Sequence, residues 1–167
     1  MMHAERVYGA LRRFGLDAAE SDEVAQEVFV RAWRGLGRFE ERARFSTWLY
    51  RIAFNEAQRR LTRRTPARAE PAPDRDDPVA SLPESAELGP EAVTLDREFE
   101  RTLERALDQL PVDWRAAVVL RDVEGLSTEE AAEIAGVGEA AFKSRLHRGR
   151  MQLRALLEPY LRLEEGR

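Results

Sequence analysis

The sequence predicts an all-α protein: two small helical domains joined by a Pro-rich acidic linker, the C-terminal domain a helix-turn-helix. Three observations carry that fold class. Apolar residues recur at helical spacing on both sides of one long interruption. The interruption holds six of the eight prolines, and proline inside a segment breaks helix and strand alike. Near the C-terminus a capped short helix, a Gly-Val-Gly break and a strongly basic helix follow one another.

At 167 residues, 43% apolar and 35% charged, the chain can form one medium domain or two small ones. No stretch approaches 18 consecutive apolar residues, and Met1-Met2-His3-Ala4-Glu5-Arg6 lacks the apolar run of a signal peptide. With no cysteine, disulfides, thiolate zinc sites and cysteine nucleophiles are excluded. A cytoplasmic protein without membrane insertion is expected. The net charge of −4 argues, taken whole, against nucleic acid, but its distribution argues otherwise. Residues 1–64 hold 13 Arg and 9 acids, residues 65–100 hold 3 Arg and 10 acids, and residues 101–167 hold 11 basic residues and 12 acids. Local patches, not totals, set where DNA can sit.

Taken in order, residues 4–16 carry Val7, Ala10, Leu11, Phe14 and Leu16, a short amphipathic helix ending near Gly15. Asp17 and Glu20 stand in capping-box spacing for the next helix. Over 22–36 the apolar stripe is Ala25, Val28, Phe29, Ala32, Trp33 and Leu36, opposite Asp22, Glu23, Gln26, Glu27, Arg31 and Arg34. A third helix is predicted over 46–64, its apolar side Phe45, Leu49, Ile52, Ala53, Ala57 and Leu61. Its other side reads Arg44, Trp48, Arg51, Asn55, Arg59 and Thr62, with Arg60, Arg63 and Arg64 beside it. Arginine, asparagine and an aromatic along one stripe can bind phosphates, hydrogen-bond a base and stack on an unpaired one. Solvated polar residues and a core tryptophan would give the same pattern.

Residues 65–94 combine proline with Glu70, Asp74, Asp76, Asp77, Glu84, Glu87 and Glu91, a linker composition that buries little. Fully extended it would span up to ~100 Å, more than the ~70 Å of two DNA turns. Beyond it, Leu95, Phe99, Leu103, Ala106, Leu107 and Leu110 mark a helix that Pro111 stops. A helix over 112–123 offers Trp114, Val118, Val119 and Leu120 to a core. Ser127 and Glu130 form a second capping box, for a helix over 128–135. After Gly136-Val137-Gly138 comes the basic helix, with Phe142, Leu146 and Leu153 on its inner face and Lys143, Arg145, His147, Arg148, Arg150 and Arg154 pointing outward. Short helix, turn and basic helix make a helix-turn-helix.

On residues alone, a free-standing helix-turn-helix regulator remains open, though it leaves residues 22–55 unused. A helical metallo-hydrolase built on Asp22, Glu23 and Glu27 is also conceivable. Against it, His3 and His147 lie far off in sequence, and neither a Gly-rich phosphate loop nor a nucleophile motif is present.

Two motif sets then bear on the choice. Asp22-Glu23-Val24-Ala25-Gln26-Glu27-Val28-Phe29-Val30-Arg31-Ala32-Trp33, followed by Phe45-Ser46-Thr47-Trp48-Leu49-Tyr50-Arg51-Ile52-Ala53-Phe54-Asn55, resembles the first conserved domain of extracytoplasmic-function (ECF) sigma factors. Leu110-Pro111 with Arg115, Gly125-Leu126-Ser127, Glu130-Ala131-Ala132-Glu133-Ile134-Ala135 and Lys143-Ser144-Arg145-Leu146-His147-Arg148-Gly149-Arg150 resembles the second. The resemblance implies a non-enzymatic sigma factor that binds core RNA polymerase and directs promoter-specific initiation, with no cofactor and no metal. It implies a region 2-like domain over 1–64, a flexible linker over 65–94 and a region 4-like domain over 95–167. Core-polymerase contacts would fall on Asp22, Glu23, Gln26, Glu27, Val30 and Arg31, with Phe29 and Trp33 largely core. Recognition and opening of the minus-10 element would fall on Arg44, Trp48, Arg51, Asn55, Arg59 and Arg60. The minus-35 element would be read by Ala140, Ala141, Lys143, Ser144, Arg145, His147, Arg148 and Arg150. Promoter DNA and core polymerase are the implied partners, and an anti-sigma factor is common in the family.

The chain departs from the family in three places. Its first helix is shorter by a turn or two, Gly138 stands where the family usually has Ser or Pro, and Ala140 and Ala141 replace polar or glycine residues. Gly is an N-cap only a few tenths of a kcal/mol weaker than Ser, and alanines favour apolar contact with thymine methyls.

Overall fold

The computed structural model describes residues 2–39, 44–64 and 97–165, and every regular element among them is helical. The predicted linker, Leu95 and most of the loop before Phe45 lie outside the described residues. Helices α1 (Met2–Arg13), α2 (Ala18–Gly35) and α3 (Phe45–Arg64) pack mutually, and a 3₁₀ turn, Leu36–Arg38, extends α2. Helices α4 (Arg97–Asp108), α5 (Val112–Val118), α6 (Thr128–Ala135) and α7 (Glu139–Glu165) form the C-terminal half.

Local chemistry sets the helix starts. The Asp17 side chain accepts from the Glu20 N–H at 2.9 Å and Glu20 reaches back to the Asp17 N–H at 3.1 Å. Ser127 and Glu130 do the same for α6, at 3.1 and 2.9 Å. Each box satisfies two N–H groups that a helix start leaves without partners.

Helical period sets the core, with corrections to the predicted faces. In α2 the buried residues are Ser21, Val24, Val28 and Ala32, so Val24 belongs to the stripe. Trp33 and Leu36 do not: they are 79% and 46% exposed. The expectation that Trp33 is core is therefore wrong. Val7, Ala10 and Leu11 of α1, with Phe14 just beyond it, are buried in one cluster with Val24, Val28 and Ala32 of α2, and Trp33 stands outside that cluster. In α3, Thr47, Tyr50, Phe54 and Glu56 are buried beside Leu49, Ala53 and Ala57, whereas Phe45 is 36% exposed. Phe14 and Phe54 meet edge to face at 5.4 Å. Burying one such side chain contributes roughly 1.5–3 kcal/mol.

In the C-terminal half, α5 ends at Val118 and a wider π turn carries the chain through Val119–Val123. The continuous helix predicted over 112–123 is thus interrupted at its C-terminal end. Gly136 closes α6 at φ 71°, ψ 30°, its N–H reaching the carbonyls of Ala132 and Glu133. That left-handed geometry favours glycine. The first bond of α7, Phe142 N–H to Gly138 O at 2.9 Å, follows directly. Phe142 is fully buried and Leu146 nearly so. Gly149 lets α7 pass close to α5: a Cβ there would stand 2.8 Å from Val118 Cγ2 and 2.9 Å from the Trp114 carbonyl oxygen.

The halves are not held apart. Their buried apolar side chains form one continuous cluster, with α3 against α6 and α1 against α4.

Candidate nucleic-acid interface

On α2, Asp22, Glu23, Gln26, Glu27 and Arg31 are exposed, and Val30 is 48% exposed. With Trp33 and Leu36 they form a polar surface with an apolar rim. A groove of about 1000 Å³ separates this helix from α3. Glu23, Gln26, Glu27, Val30 and Arg31 line one wall; Trp48, Asn55 and Arg59 line the other. The fold thus brings five of the six α2 candidates and three of the six candidates of the second set to one cleft.

Each α3 candidate has its own setting. Arg44 supplies the carbonyl that accepts the Trp48 N–H at 3.1 Å, which starts the helix. Trp48 is half-buried, its ring 5.2 Å from Phe39 and 5.7 Å from Phe45, so it is both packed and accessible. Asn55 is exposed. Arg60 is tied to Glu23 of α2. Arg51 donates to Glu133 of α6, and Thr47 donates to Glu130 at 3.0 Å. The acidic side of α6 therefore covers part of the stripe.

The same joint contains a buried acid that periodicity missed. Glu124, its side chain 4% exposed, lies 3.6 Å from Arg13 and 3.9 Å from Arg6, with Tyr50 beside it. Burial first, and then Glu124, push the Tyr50 phenol above its ordinary value. Glu130 is held below the usual carboxylate value, chiefly by the Ser127 backbone N–H.

On α7, Ala140 and Lys143 are exposed, while Ala141, Ser144, Arg145, His147, Arg148 and Arg150 are half-buried. The basic residues do not all point outward. Arg145 lies 3.8 Å from Asp113 with 15% of its side chain exposed, and Arg150 grips Asp122 through Nε at 2.8 Å and Nη2 at 2.5 Å. The Asp122 hydrogen bonds raise Arg150 above its ordinary value. Asp113 of α5 and Asp122 of the π turn thus hold two of the predicted base-reading arginines in place.

Residues 1–66 match the Sigma-70 region 2 family and residues 100–153 the Sigma-70 region 4 family. The chain is 36% identical to the RNA polymerase sigma-H factor of Pseudomonas aeruginosa, over 97% of this chain and 86% of that protein. It is 37% identical to the ECF RNA polymerase sigma factor SigE of Mycolicibacterium smegmatis, over 93% of this chain and 58% of that protein. The chain belongs to the ECF sigma-factor family.

At the level of fold, this sigma factor is similar to the sigma factor RpoE of Bartonella quintana, solved with the anti-sigma factor NepR. The TM-score is 0.71 at 24% identity, covering 94% of this chain and 92% of that one. Among the described residues, no group of three or more His, Asp or Glu side chains is placed to hold a metal ion, Asp22, Glu23 and Glu27 included. No helix among them is long and apolar enough to cross a membrane.

Sequence reasoning missed Glu56 and Glu124, acids that periodicity assigns to solvent or leaves unplaced. One signal was available: Glu56 precedes Arg59 by one helical turn, the spacing of an ion pair.

Proposed function

We propose that the two halves of this ECF sigma factor divide promoter recognition between them. The protein binds core RNA polymerase and directs promoter-specific initiation, region 2 acting at the minus-10 element and region 4 at the minus-35 element. Region 2 is assigned to residues 1–64, the linker to 65–94 and region 4 to 95–167. Asp22, Glu23, Gln26, Glu27 and Val30 contact polymerase, joined by Trp33 on the exposed rim, with Arg31 beside them on the groove wall. Arg44, Trp48, Arg51, Asn55, Arg59 and Arg60 capture the opened minus-10 strand. Ala140, Ala141, Lys143, Ser144, Arg145, His147, Arg148 and Arg150 face the minus-35 major groove.

One observation carries this assignment: a single cleft places the acidic α2 wall opposite Trp48, Asn55 and Arg59. Opening a duplex costs a few kcal/mol per unstacked step, and polar pockets beside an aromatic surface offset that cost. The chain performs no catalysis of its own and works in the cytoplasm. An anti-sigma factor is a fitting regulator, since the RpoE relative was solved bound to one.

Transcription with purified core polymerase on genomic fragments tests the assignment. Asn55→Ala holoenzyme should keep closed binding and lose permanganate reactivity at the minus-10 element. Arg145→Ala should weaken upstream-element use with core affinity intact. Unchanged footprints for the first, or a core-binding defect in the second, would refute the division.

A further inference from the structure

Glu56 is a buried acid that the roles above leave unused. Its side chain is 7% exposed, and its Oε1 sits between two guanidiniums: Arg31 Nε of α2 lies 3.0 Å away, and Arg59 Nη1 of its own helix donates to it at 3.0 Å. Both arginine side chains remain largely exposed, at 52% and 57%, and both line the groove with Asn55 and Trp48.

Burying a carboxylate costs several kcal/mol unless its lone pairs are met, and an apolar side chain in its place is often no less stable. Packing alone therefore does not explain an acid here. Its geometric effect does. Two neighbouring guanidiniums repel, and a carboxylate between them cancels one charge, leaving the trio at +1. Arg31 engages through Nε and Arg59 through Nη1, so each retains further N–H donors. A planar fork with free donors suits a phosphodiester oxygen.

We propose that Glu56 is a positioning residue that holds Arg31 and Arg59 as a paired phosphate clamp spanning α2 and α3. The backbone of the opened minus-10 strand then crosses both helices, and Arg31 serves DNA and not the polymerase surface. The proposal rests on the minus-10 assignment of Asn55 and Arg59, and it changes the assignment of Arg31.

The test uses holoenzyme reconstituted with the full chain and a fork-junction promoter DNA that leaves the minus-10 strand single. Glu56→Gln keeps the side-chain shape and one acceptor but removes the charge. Arg31→Ala alters only an exposed side chain and serves even if Glu56→Gln folds poorly. For both variants, core affinity should stay within about twofold of wild type, while the slope of log K against log salt for the fork falls by about 1 per lost phosphate contact. Fork affinity should fall roughly tenfold, and Glu56→Gln should add little once Arg31 and Arg59 are both alanine. If Arg31→Ala lowers core affinity and leaves the salt slope unchanged, Arg31 belongs to polymerase and the clamp is refuted. If Glu56→Gln lowers only the melting temperature, Glu56 is a structural tie and the proposal fails. A wild-type fork affinity for Arg59→Ala would instead overturn the minus-10 assignment itself.

Discussion

Thr47 Oγ1 donates to Glu130 Oε1 across 3.0 Å, joining two side chains 83 residues apart in sequence. One turn further along each helix, Arg51 donates to Glu133. The first residue of each pair lies in region 2 and the second on the first helix of the helix-turn-helix. An arginine that holds a carboxylate is less available to a phosphate.

This has a consequence for the free protein. Glu133→Gln should raise the affinity of the isolated chain for single-stranded minus-10 DNA by about two- to fivefold, the worth of one exposed ion pair. Fluorescence anisotropy at fixed salt reads the change. Equal affinities would show that Arg51 plays no part in binding the strand.

Trp33 supplies a second expectation. At 79% exposed it contributes little to the core, so Trp33→Ala should shift stability by less than ~0.5 kcal/mol. If the α2 rim docks on polymerase, the same variant should lose about tenfold or more in core affinity, as interface tryptophans do. A melting temperature that falls steeply would return Trp33 to the core.

Gly149→Ala sets two effects against each other. Alanine favours a helix interior by ~1 kcal/mol over glycine. Against this, its Cβ would lie 2.8 Å from Val118 and 2.9 Å from the Trp114 carbonyl, and overpacking of that kind costs ~1–3 kcal/mol. The clash should win or at least cancel the gain, lowering the melting temperature and, by pushing α7 off α5, weakening minus-35 recognition. A clearly stabilised variant would mean that the two helices separate freely.

Tyr50 gives an alkaline signature. Its phenol is raised above the ordinary 10.0 by burial and by Glu124. A group raised on folding contributes stability that is fully present below its unfolded value and lost as pH rises toward the folded one. Stability should therefore decline as pH rises above 10, and Tyr50→Phe should flatten that decline. Urea melts at pH 9 and 11 provide the comparison. Parallel losses in the two proteins would remove Tyr50 from the account.

Much was legible in the sequence because it depends on neighbours a few residues apart. Both capping boxes, the stop at Pro111, the turn at Gly136 and the buried pair Phe142 and Leu146 follow from local hydrogen bonding and a 3.6-residue period. The stripe running through Trp48 and Asn55 and the basic run of α7 were visible for the same reason. The period marks a face but not its edges, which is why Val24 and Trp33 exchanged places.

What the tertiary structure alone decided are the partnerships of charged groups. Glu56 reaches an arginine on another helix, Glu124 is buried against Arg6, Arg13 and Tyr50, and Asp113 and Asp122 restrain Arg145 and Arg150. In one dimension each is an acid with the statistics of a solvated residue. Its energy depends on which cation stands within about 4 Å and how much water is excluded, and packing sets both. The sequence by itself determined the helices, their caps and the family; the fold decided which arginines face the groove and which are already engaged.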